Sequence, residues 1–328
     1  MSVEILDSRR LPWPAPWEEL FGRHAPLWME IGFGNGQFLL SLAASHPNVN
    51  VAGVEISNPS LQKAARRASR QGLENVCLLH GNAPGVLWAL CPPESVARVY
   101  VNFPDPWPKA AHHHRRLIND RFLHLLATRA PAGAHLDVAT DHDEYATWIG
   151  ERLAHNPYFE SRLDVPFVTE STERLRTKYE EIALAEGRTC RYFKWRRNDA
   201  PAADAFPLPP ELPMPHIIMH SPLSLQELKE RFRPGSWVED GEAVRLISLF
   251  ESVEHEMLLI DTYVEEEPIS QRVGLTIRRR GEEEVLLNVH ELGFPRPTPG
   301  LHRAVHVLSR WLEDVHPEMR VIKSNVRV

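Results

Sequence analysis

The chain has 328 residues, enough for two domains, and its 43% hydrophobic and 25% charged content excludes a disordered or collagen-like protein. No apolar stretch reaches membrane-spanning length, no leader pattern opens the chain, and the three scattered cysteines, Cys77, Cys91 and Cys190, fit neither a disulfide framework nor a cysteine zinc site, so a cytoplasmic protein is expected. The net charge of −7 is uneven: residues 1–198 hold 23 Lys+Arg against 22 Asp+Glu, residues 199–328 hold 14 against 22, and any nucleic-acid partner should sit on a local patch of the first part.

Residues 1–26 are short, rich in proline and tryptophan, and weakly patterned. From Leu27 a regular alternation begins. Strands are predicted at 27–33, 49–56, 75–81, 96–103 and 134–140. Helices are predicted at 36–46, 59–72, 83–90, 117–130 and 143–155. Pro59 and Gly72 bracket the second of these helices as caps should. Strands that alternate with helices and are apolar on both faces predict a parallel sheet covered on both sides. A strand at 159–165, a helix near 175–186 and a last strand at 189–195 complete the pattern. Residues 198–215 carry six prolines and no apolar periodicity, and read as a linker. Residues 216–328 then read as an α+β domain, with strands at 243–253, 255–265, 272–279, 284–292 and 319–328 and an amphipathic helix at 301–315.

"EIGFGNG" (30–36) joins the first strand to the first helix. Gly32, Gly34 and Gly36 allow a tight turn and a close backbone approach to a ligand. The next strand ends in Glu55, placed to accept hydrogen bonds from ribose hydroxyls. NAD does not fit: Gln37 follows where the dinucleotide loop would continue, and Glu30 lies where a pyrophosphate would be repelled. A carboxylate tolerates a sulfonium and an amine, so S-adenosylmethionine is the expected ligand. Asn82, in "HGNA", falls where an adenine-reading residue belongs, with a helix N-cap role as the alternative reading.

"NFPDPWPKAAHHHRR" (102–116) has no parallel elsewhere in the chain. Asp105 stands between two prolines that restrict its backbone. Trp107 can stack on a base, and Lys109, Arg115 and Arg116 can hold phosphates. Together with "GVEIS", "ATD" and "TKYE", these motifs over residues 25–197 resemble the bacterial tRNA (guanine-N7)-methyltransferases. The resemblance implies a class I, Rossmann-like, seven-stranded α/β methyltransferase fold over residues 1–197, S-adenosylmethionine as donor without a metal, and guanine 46 of the tRNA variable loop as target. It implies donor-binding roles for Glu30, Glu55 and Asn82. Asp105 becomes catalytic and donor-proximal. Lys109, Asp141, Thr177, Lys178, Tyr179 and Glu180 become substrate-binding. tRNA is the implied partner, with the protein a monomer or homodimer and no membrane involved.

The chemistry fits these residue types. Guanine N7 has a free lone pair, so attack on a sulfonium methyl needs alignment and electrostatics rather than a base. A fixed carboxylate can accept from guanine N1–H and its amino group, and it favours the cationic product. The chain departs from the family at Ala111 and His114, where arginine and lysine are usual, and at Asn82, where an acid is usual. Consecutive histidines 112–114 point different ways and read as an exposed loop rather than a metal site. Arg278–Arg280 and Glu282–Glu284 read as a hairpin turning at Gly281 with the charges paired across it, and Trp237 and Trp311 as core. Two competing functions remain: a methyltransferase on another RNA or a small molecule, and a tRNA-binding protein without catalysis.

Overall fold

The apolar runs of the first two hundred residues become strands, and the sequence between them becomes helices. The computed structural model describes residues 3–171, 177–208, 212–239, 242–267, 269–292 and 295–327; of Lys178 only the backbone is described. The chain divides into two compact units, Met1–Pro207 and Leu208–Val328.

In the first unit, β1 (Ile5–Asp7) and α1 (Trp17–Phe21) precede β2 (Leu27–Ile31). There follow α2 (Gln37–Ser45), β3 (Asn50–Glu55), α3 (Asn58–Gln71), β4 (Val76–His80), α4 (Ala83–Leu90) and β5 (Val96–Asn102). A 3-10 turn (Ala110–Arg115) leads into α5 (Asp120–Arg129), β6 (His135–Thr140), α6 (Asp143–His155), β7 (Phe159–Ser161), α7 (Lys178–Ala185) and β8 (Arg191–Arg197). The sheet order is β1-β4-β3-β2-β5-β6-β8-β7. All pairings are parallel except those of β8, which runs antiparallel between β6 and β7. Without β1 this is the expected seven-stranded methyltransferase sheet; β1 adds an eighth strand among the described residues. Strand order reverses at β2, so the carboxyl ends of β2 and β5 open a crevice. Strands β3 and β4 are buried on both faces, as their unbroken apolar runs require.

The segment 1–26 is not loose. β1 pairs with β4, and Trp17 is buried with its indole N–H donating to the Leu90 carbonyl at 2.9 Å. The helix expected near 175–186 is observed over Lys178–Ala185, and residues 175–176 lie outside the described residues. The expected linker is corrected in its first part. Residues 198–207 pack on the first unit, with Phe206 5% exposed between Trp88 and His124. Residues 209–211 lie outside the described residues.

The second unit contains β9 (Ile217–His220), α8 (Leu225–Arg231), β10 (Gly235–Glu239), β11 (Glu242–Glu251), β12 (Met257–Glu265), β13 (Gln271–Arg279), β14 (Glu284–Val289), α9 (Pro299–Val315) and β15 (Arg320–Ser324). The strands form an antiparallel sheet in the order β10-β11-β12-β13-β14-β9-β15. α9 carries Leu301, Ala304, Val305, Leu308 and Leu312 on one helical face, all buried against Ile260, Leu275 and Leu287. The hairpin at Gly281 is present, but its register is Arg278 opposite Leu286 and Arg279 opposite Val285. Arg278 and Arg279 therefore face apolar residues, with Arg279 bonding the Leu223 carbonyl at 3.1 Å, whereas Arg280 lies opposite Glu284 and donates its backbone N–H to the Glu284 carbonyl at 2.9 Å. Trp237 is 37% exposed on the edge strand β10 and so is not core. Trp311 does pack on the core, beside Phe232.

Candidate active site

The glycine loop sits at the carboxyl end of β2. Gly32, Gly34 and Gly36 have φ of +68°, +54° and +76°, which side-chain-bearing residues adopt only at a cost. Gly36 has a second reason: a Cβ there would lie 2.7 Å from the Ala64 Cβ, so α2 meets α3 too closely for any larger residue. Glu55 clasps the loop. One carboxylate oxygen accepts the Gly34 N–H at 2.9 Å, and the other accepts those of Ile56 and Ser57, each at 2.9 Å. A carboxylate offers about four acceptor positions, so this leaves about one for a ligand hydroxyl. Glu30, the residue before the last of β2, is 1% exposed and accepts from the Asn102 amide at 2.8 Å. Asn102 escaped the sequence reading, although a polar residue closing the apolar run "VARVYVN" was a usable signal. Asn82 is exposed, and its side chain accepts from the Gly85 N–H at 2.7 Å as the N-cap of α4.

The 103–116 loop leaves β5 beside this site. Phe103 donates to Ala139 at 2.8 Å and so extends the ladder towards β6. Phe103 and Trp107 both lie in the left-handed region, at φ +52° and +44°. Backbone of this kind costs about 1–3 kcal/mol per residue and persists where the surroundings over-determine it. Arg116 provides that determination. It is 1% exposed, donates through Nε to the Pro106 carbonyl at 2.8 Å and through Nη2 to Glu144 at 2.7 Å. Its guanidinium also lies 5.2 Å from the Tyr145 ring centre and 5.0 Å from that of Trp148. This corrects its expected role as an RNA contact: a carbonyl and two aromatic faces draw the cation inward, where RNA cannot reach it. Arg116 holds the Glu144 carboxyl below the usual range by its hydrogen bond, and burial pushes the Tyr145 hydroxyl up to about 12.

Asp105 and Lys109 are exposed, and Trp107 is half-buried. Arg115 is exposed and stacks over Trp107 at 5.0 Å. The histidines diverge: His112 meets the edge of Trp107, whereas His113 turns to Trp148 and approaches Glu144 at 3.2 Å.

Asp141 follows β6 and pairs with Arg188, a partner that no sequence pattern marked. Thr177 and Glu180 form a capping box at the start of α7. The Thr177 hydroxyl accepts from the Glu180 N–H at 3.1 Å, and the Glu180 carboxylate accepts from the Thr177 N–H at 3.3 Å. Tyr192 donates to Glu180 at 2.7 Å, and Glu180 is 2% exposed. Tyr179 is 58% exposed. Glu30, Gly32, Asn102, Thr177 and Tyr179 line one cavity, so the glycine loop and the late "TKYE" segment converge. Of the residues expected to bind substrate, Glu180 thus serves chiefly to hold α7.

Residues 24–192 match the family model described as "Putative methyltransferase". The tRNA (guanine-N(7)-)-methyltransferase of Thermus thermophilus is 34% identical over 317 residues, which cover 94% of this chain and 96% of that protein. The enzymes of the same name from Corynebacterium jeikeium and Nocardia farcinica are 36% and 38% identical, covering 55% and 56% of this chain and 72% and 71% of their own lengths. The Thermus match thus runs into the second unit as well. The matched span holds the glycine loop, the Asp105 loop and α7, and the chain belongs to the tRNA (guanine-N(7)-)-methyltransferase family.

Proposed function

We propose that this protein transfers the methyl group of S-adenosylmethionine to N7 of guanine 46 in the tRNA variable loop. The observation that carries the reading is the convergence, at the carboxyl edge of one parallel sheet, of an acid-clasped glycine loop and a rigid loop that offers Asp105, Trp107, Lys109 and Arg115.

The donor set suits this cofactor. Glu30 is buried beside the glycine loop, where it disfavours a phosphate and accommodates a cationic sulfonium and ammonium. Gly32, Gly34 and Gly36 bring backbone to the ligand, Glu55 retains an acceptor for ribose, and Asn82 stands at the adenine end. When bound, the cofactor supplies an activated methyl group. The protein's own part is alignment. Asp105 accepts from guanine N1–H and the amino group, which adenine cannot offer in that arrangement, and its charge favours the cationic product. Asp141 stands at the next strand end. Trp107 stacks, while Lys109 and Arg115 engage phosphates. Thr177 and Glu180 fix the start of α7 beside the cleft.

The test uses labelled S-adenosylmethionine and two tRNA transcripts, with G or A at position 46. Methylation confined to the G transcript is expected. Asp105→Ala is expected to lose at least about 100-fold in kcat while its circular dichroism stays unchanged. Full activity in that variant would falsify the assignment of Asp105.

A further inference from the structure

We infer that the solvent face of α3 is a phosphate-binding rail for the tRNA substrate; the inference rests on the proposed reaction and extends it. In α3, Leu61, Ala64 and Ala68 are buried, and Lys63, Arg66, Arg67 and Arg70 all reach solvent. The four cations fall at i, i+3, i+4 and i+7, so they share one face. The helix "NPSLQKAARRASRQ" contains no acid, not even in its first turn, where the helix dipole favours one. Among the described residues, none of the four cations has an ion-pair partner.

A solvated charged face ordinarily mixes signs. This one sets like charges four residues apart, Lys63 with Arg67 and Arg66 with Arg70, an arrangement that weakens a helix and so calls for a counter-charge from outside it. The first unit, residues 1–207, holds 23 Lys+Arg against 24 Asp+Glu in all, so four unpaired cations on one helix are a local concentration of charge. The rail also abuts the donor site. Arg67 donates to the Asn35 carbonyl of the glycine loop at 3.1 Å, and Gly36 packs on Ala64. The sheet order places β2 between β3, which feeds α3, and β5, which feeds the Asp105 loop. The two basic surfaces therefore flank the glycine loop, their strands about 10 Å apart. From Lys63 to Arg70 the helix rises about 10 Å, enough for about three successive phosphates of one strand.

The variant K63Q/R66Q/R70Q leaves Arg67 on the glycine loop and removes three charges. The full chain is assayed for methylation of tRNA across a salt series. KM for tRNA is expected to rise roughly tenfold near 0.15 M salt, and the slope of log KM against log salt to fall by about one for each phosphate no longer neutralised. The kcat at saturating tRNA and the affinity for S-adenosylmethionine are expected to stay as in the parent. The charge-preserving variant K63R/R66K/R70K is expected to keep the parental KM. An unchanged KM and salt slope in the glutamine variant overturns the rail, as does an equal rise of KM in both variants or a loss of donor affinity. Failure of the parent chain to methylate tRNA is a separate result and counts against the proposed reaction instead.

Discussion

The guanidinium of Arg116 supplies the donor that the Pro106 carbonyl needs in a loop where Phe103 and Trp107 both hold positive φ. Losing it frees the backbone on either side of Asp105. Arg116→Ala is expected to lower kcat about 100-fold and to destabilise the fold by about 2–3 kcal/mol; turnover and urea midpoints measure both. Arg116→Lys cannot donate in two directions while lying flat on Trp148, so it should restore less than half of that stability. Glu144 carries a pH signature of the same pairing. Its carboxyl is depressed by Arg116, so the stabilisation is present above the ordinary glutamate pKa of 4.5 and fades as pH falls through the lowered value. The alanine variant should lack that acid-side loss. The sequence exposed Asp105, Trp107 and Lys109 because their types and spacing are unusual. It could not separate Arg115 from Arg116: adjacent residues of one type point in different directions, and the packing of Tyr145 and Trp148 decides which one goes in.

At the scale of elements, long apolar runs such as those of β3 and β5 were legible, and α4 and α6 match their expected bounds. β1 and α1, of three and five residues, are too short to show a period, and pairing with β4 and burial of Trp17 define them instead. "TKYE" is also a capping-box pattern, which explains why half of that motif faces inward. α9 begins on a device that is hidden in sequence. Glu266, 7% exposed, accepts from Gln271 and from the Gly300 N–H, each at 2.9 Å, and also from Thr298. Burial pushes its pKa above the ordinary 4.5. The folded state therefore binds the proton more tightly than the unfolded one, and this group's stabilisation declines as pH rises from 4.5 through the raised value. Glu266→Gln removes the titration. The difference in Tm between variant and parent is expected to change across that pH window, and a constant difference would count against it.

At the scale of the whole chain, the first unit runs on to Pro207, well into the segment that its prolines marked as a spacer. Residues 198–207 are strapped down by Arg129 to the Phe206 carbonyl at 2.8 Å and by Trp88 to the Pro207 carbonyl at 3.1 Å. Proline content without periodicity reads as a spacer, and one buried phenylalanine leaves no pattern to detect. A chain ending at 207 is expected to be more stable than one ending at 198 by about 2–4 kcal/mol, by urea midpoint. β8 has a further consequence, for biosynthesis. It is the last strand of its sheet to be made, yet it belongs between β6 and β7. Translation at about 5–20 residues per second needs several seconds to pass from the end of β6 to the end of β8. Throughout that interval the nascent sheet exposes an unpaired edge at β6, so the growing chain must be guarded from association on the ribosome until Arg197 has emerged.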